Sequence, residues 1–437
     1  MTPPRRPGSA VAAAAVLALL LAALAGGCAK RARDNPLDPR NRTTHGMLVG
    51  FDALASDGVV ELRWPILTLD GVEGYHVQRW RPGGTPLLLP GAIFPATVGA
   101  TEDFDVANDS TYVYRLIAVF ATGDSAASAP DTATPGTLRL AALTIDPPGY
   151  AALTADARDL FYTIASKDAY DDVALDPVRG WFWLSHYDLD AVERRRFDGT
   201  TVGPTIDVLG PSTLSVSTQR GLAWVTRYDV GQVVSFLPDT TQPTSAATVS
   251  VAGQHPVAVA TDNANATVWV GTQEGLVVQA SSGDGTHRNS WQLPGGVVAI
   301  AVDEAADAAW VASHSAPNLF DLYYVVAGDP DPGTPVTTGR IGVVDLAVDP
   351  ATRSLWVSER GAPGAGSGRL TRVALGGQIQ ATLTGIEPYG LSLDPATGTC
   401  WVADLESDRL LEVSPAGVVL RRSALLGGPY RLVTYRP

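Results

Sequence analysis

Cysteine and lysine are almost missing from this 437-residue chain: it has only Cys28, Cys400, Lys30 and Lys167. Two cysteines exclude a disulfide framework. Cys400 stands in the apolar run Thr399-Cys400-Trp401-Val402, where a small buried hydrophobe is expected rather than a reactive thiol. Arginine carries the positive charge, a bias that fits a GC-rich genome and points to no chemistry. A net charge of −14 argues against nucleic acid as a partner, since such a binder needs a basic face. With 17% charged and 45% hydrophobic residues the chain is not disordered, and its length predicts two to three domains. No His-x-Glu or His-x-x-x-His spacing is present for zinc, and no Gly-x-Ser-x-Gly for a hydrolase. The stretch Asp329-Pro330-Asp331-Pro332-Gly333 lacks the order of a calcium loop. No metal, cofactor or catalytic residue is therefore assigned.

The first 28 residues read as an address. Arg5 and Arg6 precede an Ala/Leu/Val run from Ala10 to Leu24, and Ala25-Gly26-Gly27-Cys28 follows. That three-part order is a signal peptide. Leu24-Ala25-Gly26-Gly27-Cys28 resembles a bacterial lipobox, although leucine lies one residue earlier than in the commonest form. The resemblance implies acylation of Cys28, an exported chain and a membrane partner through the lipid. With Ala29 next instead of aspartate, it implies outer-membrane sorting. An ordinary cleaved signal and an uncleaved anchor are the alternatives. Residues 29–45, with Asn35-Pro36-Leu37-Asp38-Pro39 in the middle, are expected to be a tether.

Residues 46–136 show short alternating stretches between turn residues, an all-β pattern. Val60-Glu61-Leu62-Arg63-Trp64 points Trp64 inward, and Thr111-Tyr112-Val113-Tyr114-Arg115-Leu116-Ile117-Ala118-Val119 is the longest strand candidate. In order and spacing these segments resemble the fibronectin type III family. That resemblance implies a β-sandwich with Trp64 as its buried tryptophan and Tyr112 as its corner tyrosine. There is no Arg-Gly-Asp triplet, so integrin binding is not implied. A spacer or docking role is expected.

Residues 137–437 repeat. Tryptophans stand at 183, 224, 269, 310, 356 and 401, and seven residues before them come Asp176, Ser217, Asp262, Asp303, Asp349 and Asp394. A period near 43 residues is that of a four-stranded propeller blade. Each repeat opens with an apolar run whose middle residue is alanine or serine, as in Ile300-Ala301-Val302 and Leu391-Ser392-Leu393. That suits an innermost strand near a crowded axis. The aspartate is expected to bond backbone N–H groups of the next turn, and the tryptophans to pack between blades. The pattern Pro388-Tyr389-Gly390-Leu391-Ser392-Leu393-Asp394 followed by Cys400-Trp401-Val402-Ala403-Asp404 resembles an NHL-type repeat, in the propeller superfamily that includes streptogramin lyases and gluconolactonases. Pro429-Tyr430-Arg431-Leu432-Val433-Thr434-Tyr435 mimics its first strand. Seven blades follow if the strands between Leu138 and Ser166 complete that last blade; six is the alternative.

A propeller site is expected on the axial face. Three residues after each tryptophan stand His186, Arg227, Thr272, Ser313, Glu359 and Asp404. All are polar and all differ, so they are candidates for a ring around a protein, glycan or small-molecule ligand, although strand ends meeting solvent are polar in any case. Asp172 and Asp345, each four residues before its repeat's aspartate, are the carboxylates worth locating. The histidine–glutamate constellation implied by a lyase resemblance is not recognisable, and the innermost strands put apolar residues where a lactonase holds metal. The sequence thus reads as a non-catalytic, displayed binding propeller, with a propeller lyase or lactonase as the alternative.

Overall fold

A computed structural model describes residues 37, 41, 45–90, 93–238, 245–361 and 367–435. Cys28, the signal peptide and most of the tether lie outside the described residues. The chain is all-β and divides into two compact units. One unit takes residues up to 52, 63–100 and 113–131; the other takes 53–62, 101–112 and 132–437.

The first unit is built on a six-stranded sheet whose long strands are Val72–Trp80 and Tyr112–Phe120, paired antiparallel. Their alternation buries Tyr75, Val77, Tyr114, Leu116 and Ala118 on one side. Trp64 is buried and packs on the rings of Phe51, Tyr75 and Phe94, with centroids 5.7–6.5 Å apart. The Ala107 N–H donates to the Tyr112 hydroxyl over 3.0 Å. A second sheet of three strands, Asp52–Ala55, Val60–Arg63 and Ala100–Asp103, has most of its residues in the propeller's unit. Backbone bonds tie that segment in: Ala155 N–H to the Ala55 carbonyl and Gly136 N–H to the Ser56 carbonyl, both 3.0 Å.

The rest of the second unit is a seven-bladed propeller of four-stranded antiparallel sheets. From blade 1 to blade 6 the innermost strands are Asp172–Asp176, Pro211–Ser217, Pro256–Asp262, Val297–Asp303, Val343–Val348 and Pro388–Asp394. Blade 7 is split. Its innermost strand is the chain's last, Pro429–Tyr435, and its outer three are Arg139–Ile145, Pro148–Leu153 and Leu160–Ala165. Pairing of Ala141 with Val433 and Ala142 with Leu432 sews the two ends together, so the ring has no open seam. Each innermost strand neighbours the next all the way round.

The repeat positions explain the packing. In each of blades 1 to 6 the tryptophan lies directly opposite the small residue of the innermost strand: Ala174 with Trp183, Ser215 with Trp224, and likewise through Ser392 with Trp401. Cross-strand partners share a sheet face, so the small residue leaves the volume that the indole fills. All six indoles are fully buried. An apolar cluster fills every gap between successive blades; in six of the seven gaps it includes or packs against the tryptophan of the preceding blade. Each indole supplies roughly 4–6 kcal/mol of gross apolar burial. Blade 7 has Ala141 at the tryptophan's place, and its gap to blade 1 is filled by Tyr150 and Phe182. Cys400 is a buried packing residue between blades 5 and 6, its thiol pushed up by burial.

The aspartates act as expected in four blades. Asp176, Asp262, Asp349 and Asp394 accept N–H bonds from the following turn at 2.8–3.2 Å. Asp303 instead accepts from the Tyr324 hydroxyl and from Arg353 of the next blade. The turn ends on a left-handed residue in all six repeats: Gly180, Gly221, Ala266, Asp307, Arg353 and Gly398, with φ between 46° and 69°.

Candidate functional site

The second strands of the blades end at the propeller face where the innermost strands begin, as the pairings of Asp172 with Ser185 and Asp345 with Ser358 fix. His186, Arg227, Thr272, Ser313, Glu359 and Asp404 all lie at that end, and five of the six are buried between blades. Five of the six are hydrogen-bonded locally. Glu359 takes Arg369 at 2.9 Å, the Thr371 hydroxyl at 2.8 Å and Arg340 of blade 4 at 3.3 Å. Asp404 accepts from Glu387 N–H and the Ser407 hydroxyl. Ser313 donates to the Gly295 carbonyl, Thr272 to Gln254, and Arg227 to Gln232. The expected open ring is thereby corrected. A residue an odd number of places from the tryptophan faces the other side of its sheet, so these six point at the preceding blade, one strand away from the axis.

His186 is the odd member. Its ring lies on Tyr170 with centroids 3.9 Å apart, and Nε2 is 3.8 Å from Glu193 Oε1. Neither ring nitrogen makes a well-formed hydrogen bond among the described residues. Burial lowers its pKa against the pull of Glu193, so the imidazole is neutral. Arg195 holds Glu193 at 2.9 Å from the other side.

The residues nearest the axis come from one position of the innermost strands: Asp172, Thr213, Ala258, Ala299, Asp345, Gly390 and, on the last strand, Arg431. Three of the seven are charged and they find one another. Arg431 Nη1 is 3.3 Å from Asp345 Oδ2, and its Nε is 3.7 Å from Asp172 Oδ1. Blade 6 lies between Arg431 and Asp345, and Gly390 is what lets the closing strand come close: a Cβ there would meet Arg431 Cα and the Tyr430 carbonyl oxygen at 2.9 Å. Both carboxylates also hold the next blade. Asp172 accepts the N–H of Leu214, and Asp345 that of Leu391, at 2.8 and 2.9 Å. Ser215–Thr261 and Ser392–Thr434 make the equivalent clasps between blades 2 and 3 and blades 6 and 7. Burial pushes the Asp172 carboxyl up to about 6 against the opposing Arg431 charge, and raises Asp345 likewise. Burial works against the Arg431 cation, but the two carboxylates outweigh it and raise its pKa.

The side chains offered to solvent at this end stand one residue beyond the expected ring: Tyr187, Tyr228, Gln273, His314, Arg360 and Leu405. Four of them, Tyr187, Tyr228, Gln273 and Arg360, bridge blade borders. The Tyr187 hydroxyl donates to Asp229 at 2.8 Å, and that of Tyr228 to Gln273. Tyr228 also lies on His255, which bonds Glu274 at 2.5 Å. Arg360 sits over the Tyr389 ring at 4.4 Å and pairs with Glu387 at 3.0 Å. No sequence signal marked this belt, because its members share a position and not a chemical type. Among the described residues no group of three or more His, Cys, Asp or Glu is placed to hold a metal.

No family model matches the chain, and no curated protein matches it. Solved structures do. The chain is similar to hydrazine synthase from Kuenenia stuttgartiensis, with a TM-score of 0.53 and 12% identity over 60% of this chain and 89% of that one. It is also similar to a protein from Lactobacillus plantarum, with a TM-score of 0.51 and 14% identity over 68% and 99% of the two chains. At such identity the likeness carries the propeller fold and no activity, because propellers host many unrelated functions.

Proposed function

We propose that the protein is a non-catalytic lipoprotein of the cell envelope, in which a fibronectin type III-like module and an NHL-like propeller are displayed from an acylated Cys28, and that the axial-end belt binds a protein, glycan or small ligand. One observation carries the binding part. At this end of the propeller the polar groups nearest the axis clasp blade to blade, whereas Tyr187, Tyr228, His255, Arg360 and Tyr389 stand at the blade borders within reach of a ligand. Aromatic faces beside charged groups suit amphipathic recognition.

The alternative, a propeller enzyme, would draw on Asp172 and Asp345. Both carboxylates face Arg431 and accept a backbone N–H of the next blade, an arrangement that suits a brace between blades. The anchor is tested by labelled-palmitate incorporation into the wild type and Cys28→Ala: label in both, or in neither, removes the anchoring claim. The binding face is tested by in-envelope cross-linking. A ligand adduct lost in Tyr228→Ala/Arg360→Ala and kept in Arg220→Ala, on the opposite end, supports it; loss in both variants or in neither refutes it.

A further inference from the structure

One end of the first unit is apolar and free of charge. Gly46-Met47-Leu48-Val49-Gly50-Phe51, Trp64-Pro65-Ile66-Leu67-Thr68-Leu69 and the run from Ile93 to Gly99 contain no Asp, Glu, Lys or Arg, in a chain of net charge −14. The three runs meet in space. The Trp64 N–H donates to the Gly99 carbonyl over 2.8 Å, and the Trp64 ring packs on Phe51 and Phe94. A Cβ at Gly50 would come within 3.3 Å of the Pro65 ring, and one at Gly99 within 3.3 Å of Ile66 Cγ1. Leu48 is buried, and its N–H bonds the Ala127 carbonyl at 3.1 Å, so its neighbours Met47 and Val49 turn outward. Met47, Val49 and Ile66 are 47%, 54% and 50% exposed, and Pro65 is exposed beside them. Single exposed apolar side chains are ordinary, but a contiguous charge-free set marks a contact surface.

We infer that this end of the module rests on a lipid bilayer, with Met47, Val49 and Ile66 entering its apolar boundary. The choice of a bilayer as occupant rests on the reading of Cys28 as the lipid anchor. The chain enters the first unit at Gly46, within the patch, and the eighteen residues from Cys28 to Gly46 span at most about 60 Å. Tethering at that range keeps the patch at a high effective concentration of membrane, so weak apolar contact suffices. The intervening sequence is basic, with Lys30, Arg31, Arg33, Arg40 and Arg42 against Asp34 and Asp38, which complements an anionic lipid surface. Asp52 and Asp70 end the first two runs, and carboxylates there limit insertion to the loops themselves. An acyl tether alone leaves the module free to turn. A second attachment through its own side chains fixes which end faces the membrane.

The test places the full-length protein in vesicles of phosphatidylethanolamine and phosphatidylglycerol that include a phospholipid with a photoactivatable diazirine in its acyl chain. After irradiation, lipid adducts are mapped on tryptic peptides by mass spectrometry. Adducts are expected on the peptides 43–63 and 64–79, which hold Val49 and Ile66. None is expected on the peptide of Val178, 69% exposed in the propeller. Val49→Asp/Ile66→Asp should lower the module's labelling by about ten-fold or more, and Val49→Ser/Ile66→Ser, which adds no charge, by about five-fold. Both pairs alter exposed side chains, so the thermal midpoint should not move. Labelling of the Val178 peptide as strong as that of the module, labelling unchanged in both variants, or no adduct on either module peptide overturns the inference. A dimer in detergent that Val49→Asp/Ile66→Asp dissociates would give the patch to a second copy and overturn it as well. Palmitate incorporation reads the anchor separately. Patch adducts in a chain that takes up no palmitate remove the anchor and keep the patch, whereas palmitate uptake without patch adducts removes the patch and keeps the anchor.

Discussion

Arg431, six residues from the end of the chain, lies close against Gly390 and places Nη1 3.3 Å from Asp345 Oδ2. A residue from the strand that closes the ring thereby braces a blade two places away. Arg431→Met keeps much of the stem's volume and removes the charge. Two carboxylates would then stand at the axis without a counter-ion, and breaking such an enclosed pair costs about 2–4 kcal/mol. Urea denaturation at neutral pH should show that loss, and Asp345→Asn combined with Arg431→Met should recover part of it. An unchanged midpoint in Arg431→Met would mean that the brace contributes nothing.

Asp172 and His186 give opposite pH dependences. The Asp172 carboxyl is raised by burial from the ordinary 3.8 to about 6. Between those values the folded chain binds more protons than the unfolded one, so this group adds stability as pH falls from about 6 to about 4. It opposes folding at neutral pH by on the order of 1–3 kcal/mol. Asp172→Asn keeps an acceptor for Leu214 N–H and should flatten that rise. His186 has its pKa lowered by burial, so the unfolded chain takes up more protons below the usual histidine range and stability is lost as pH falls. His186→Phe, which preserves the ring on Tyr170, should remove that loss. Denaturant midpoints at pH 7.5 and 5 for the wild type and the two variants read both effects; equal slopes in all three would refute them.

The small residue opposite each indole is a volume constraint. Ala301 faces Trp310 and Ala347 faces Trp356, both indoles fully buried. Ala347→Leu should cost about 1–3 kcal/mol by overpacking, and Trp356→Ala about 3–5 kcal/mol by leaving a void. The same Leu substitution at exposed Ala351, in the following turn, is the control. Thermal unfolding in which Ala347→Leu matches that control would disprove the opposition.

How far the sequence could be read follows from these residues. The tryptophan and aspartate offsets are enforced by volume and by turn bonding, so they repeat and can be seen. The closing blade has Ala141 where the others have tryptophan, and only its resemblance in Pro429-Tyr430 marked it; its strand Pro148–Leu153 carried no repeat signal at all. The expected ring of six failed by parity: position three after an indole faces the neighbouring blade. Asp172 and Asp345 were visible as carboxylates at one offset, but their partner was not, since Arg431 and Gly390 acquire meaning only when the ring closes.

Ring closure itself makes a prediction. Pro429–Tyr435 supplies the innermost strand of blade 7, Arg431 and the Ser392–Thr434 clasp. Truncation after Gly428 removes all three and exposes the pairing edge of Arg139–Ile145, a template for aggregation. Size-exclusion chromatography of the truncated protein should show oligomers or loss of soluble product. A monomer with the wild-type thermal midpoint would mean that six blades suffice.

Backbone strain offers the most controlled test of the repeat logic. The residue four places after the aspartate or serine is left-handed in every repeat, and three of the six residues there are not glycine. For a residue with a Cβ that conformation costs about 1–2 kcal/mol, unless its side chain compensates. Asp307 accepts a 2.7 Å bond from Gln279, and Arg353 pairs with Asp303 at 2.8 Å, so replacing either loses an interaction. Ala266 has only a methyl group, and its φ is 54°. Glycine relieves the strain there but adds freedom to the unfolded chain, leaving a net gain of about 0.5–1 kcal/mol. Ala266→Gly should therefore raise the urea midpoint, whereas Arg353→Gly should lower it. If both glycine variants move the midpoint in the same direction, the side-chain compensation argued for Arg353 is wrong.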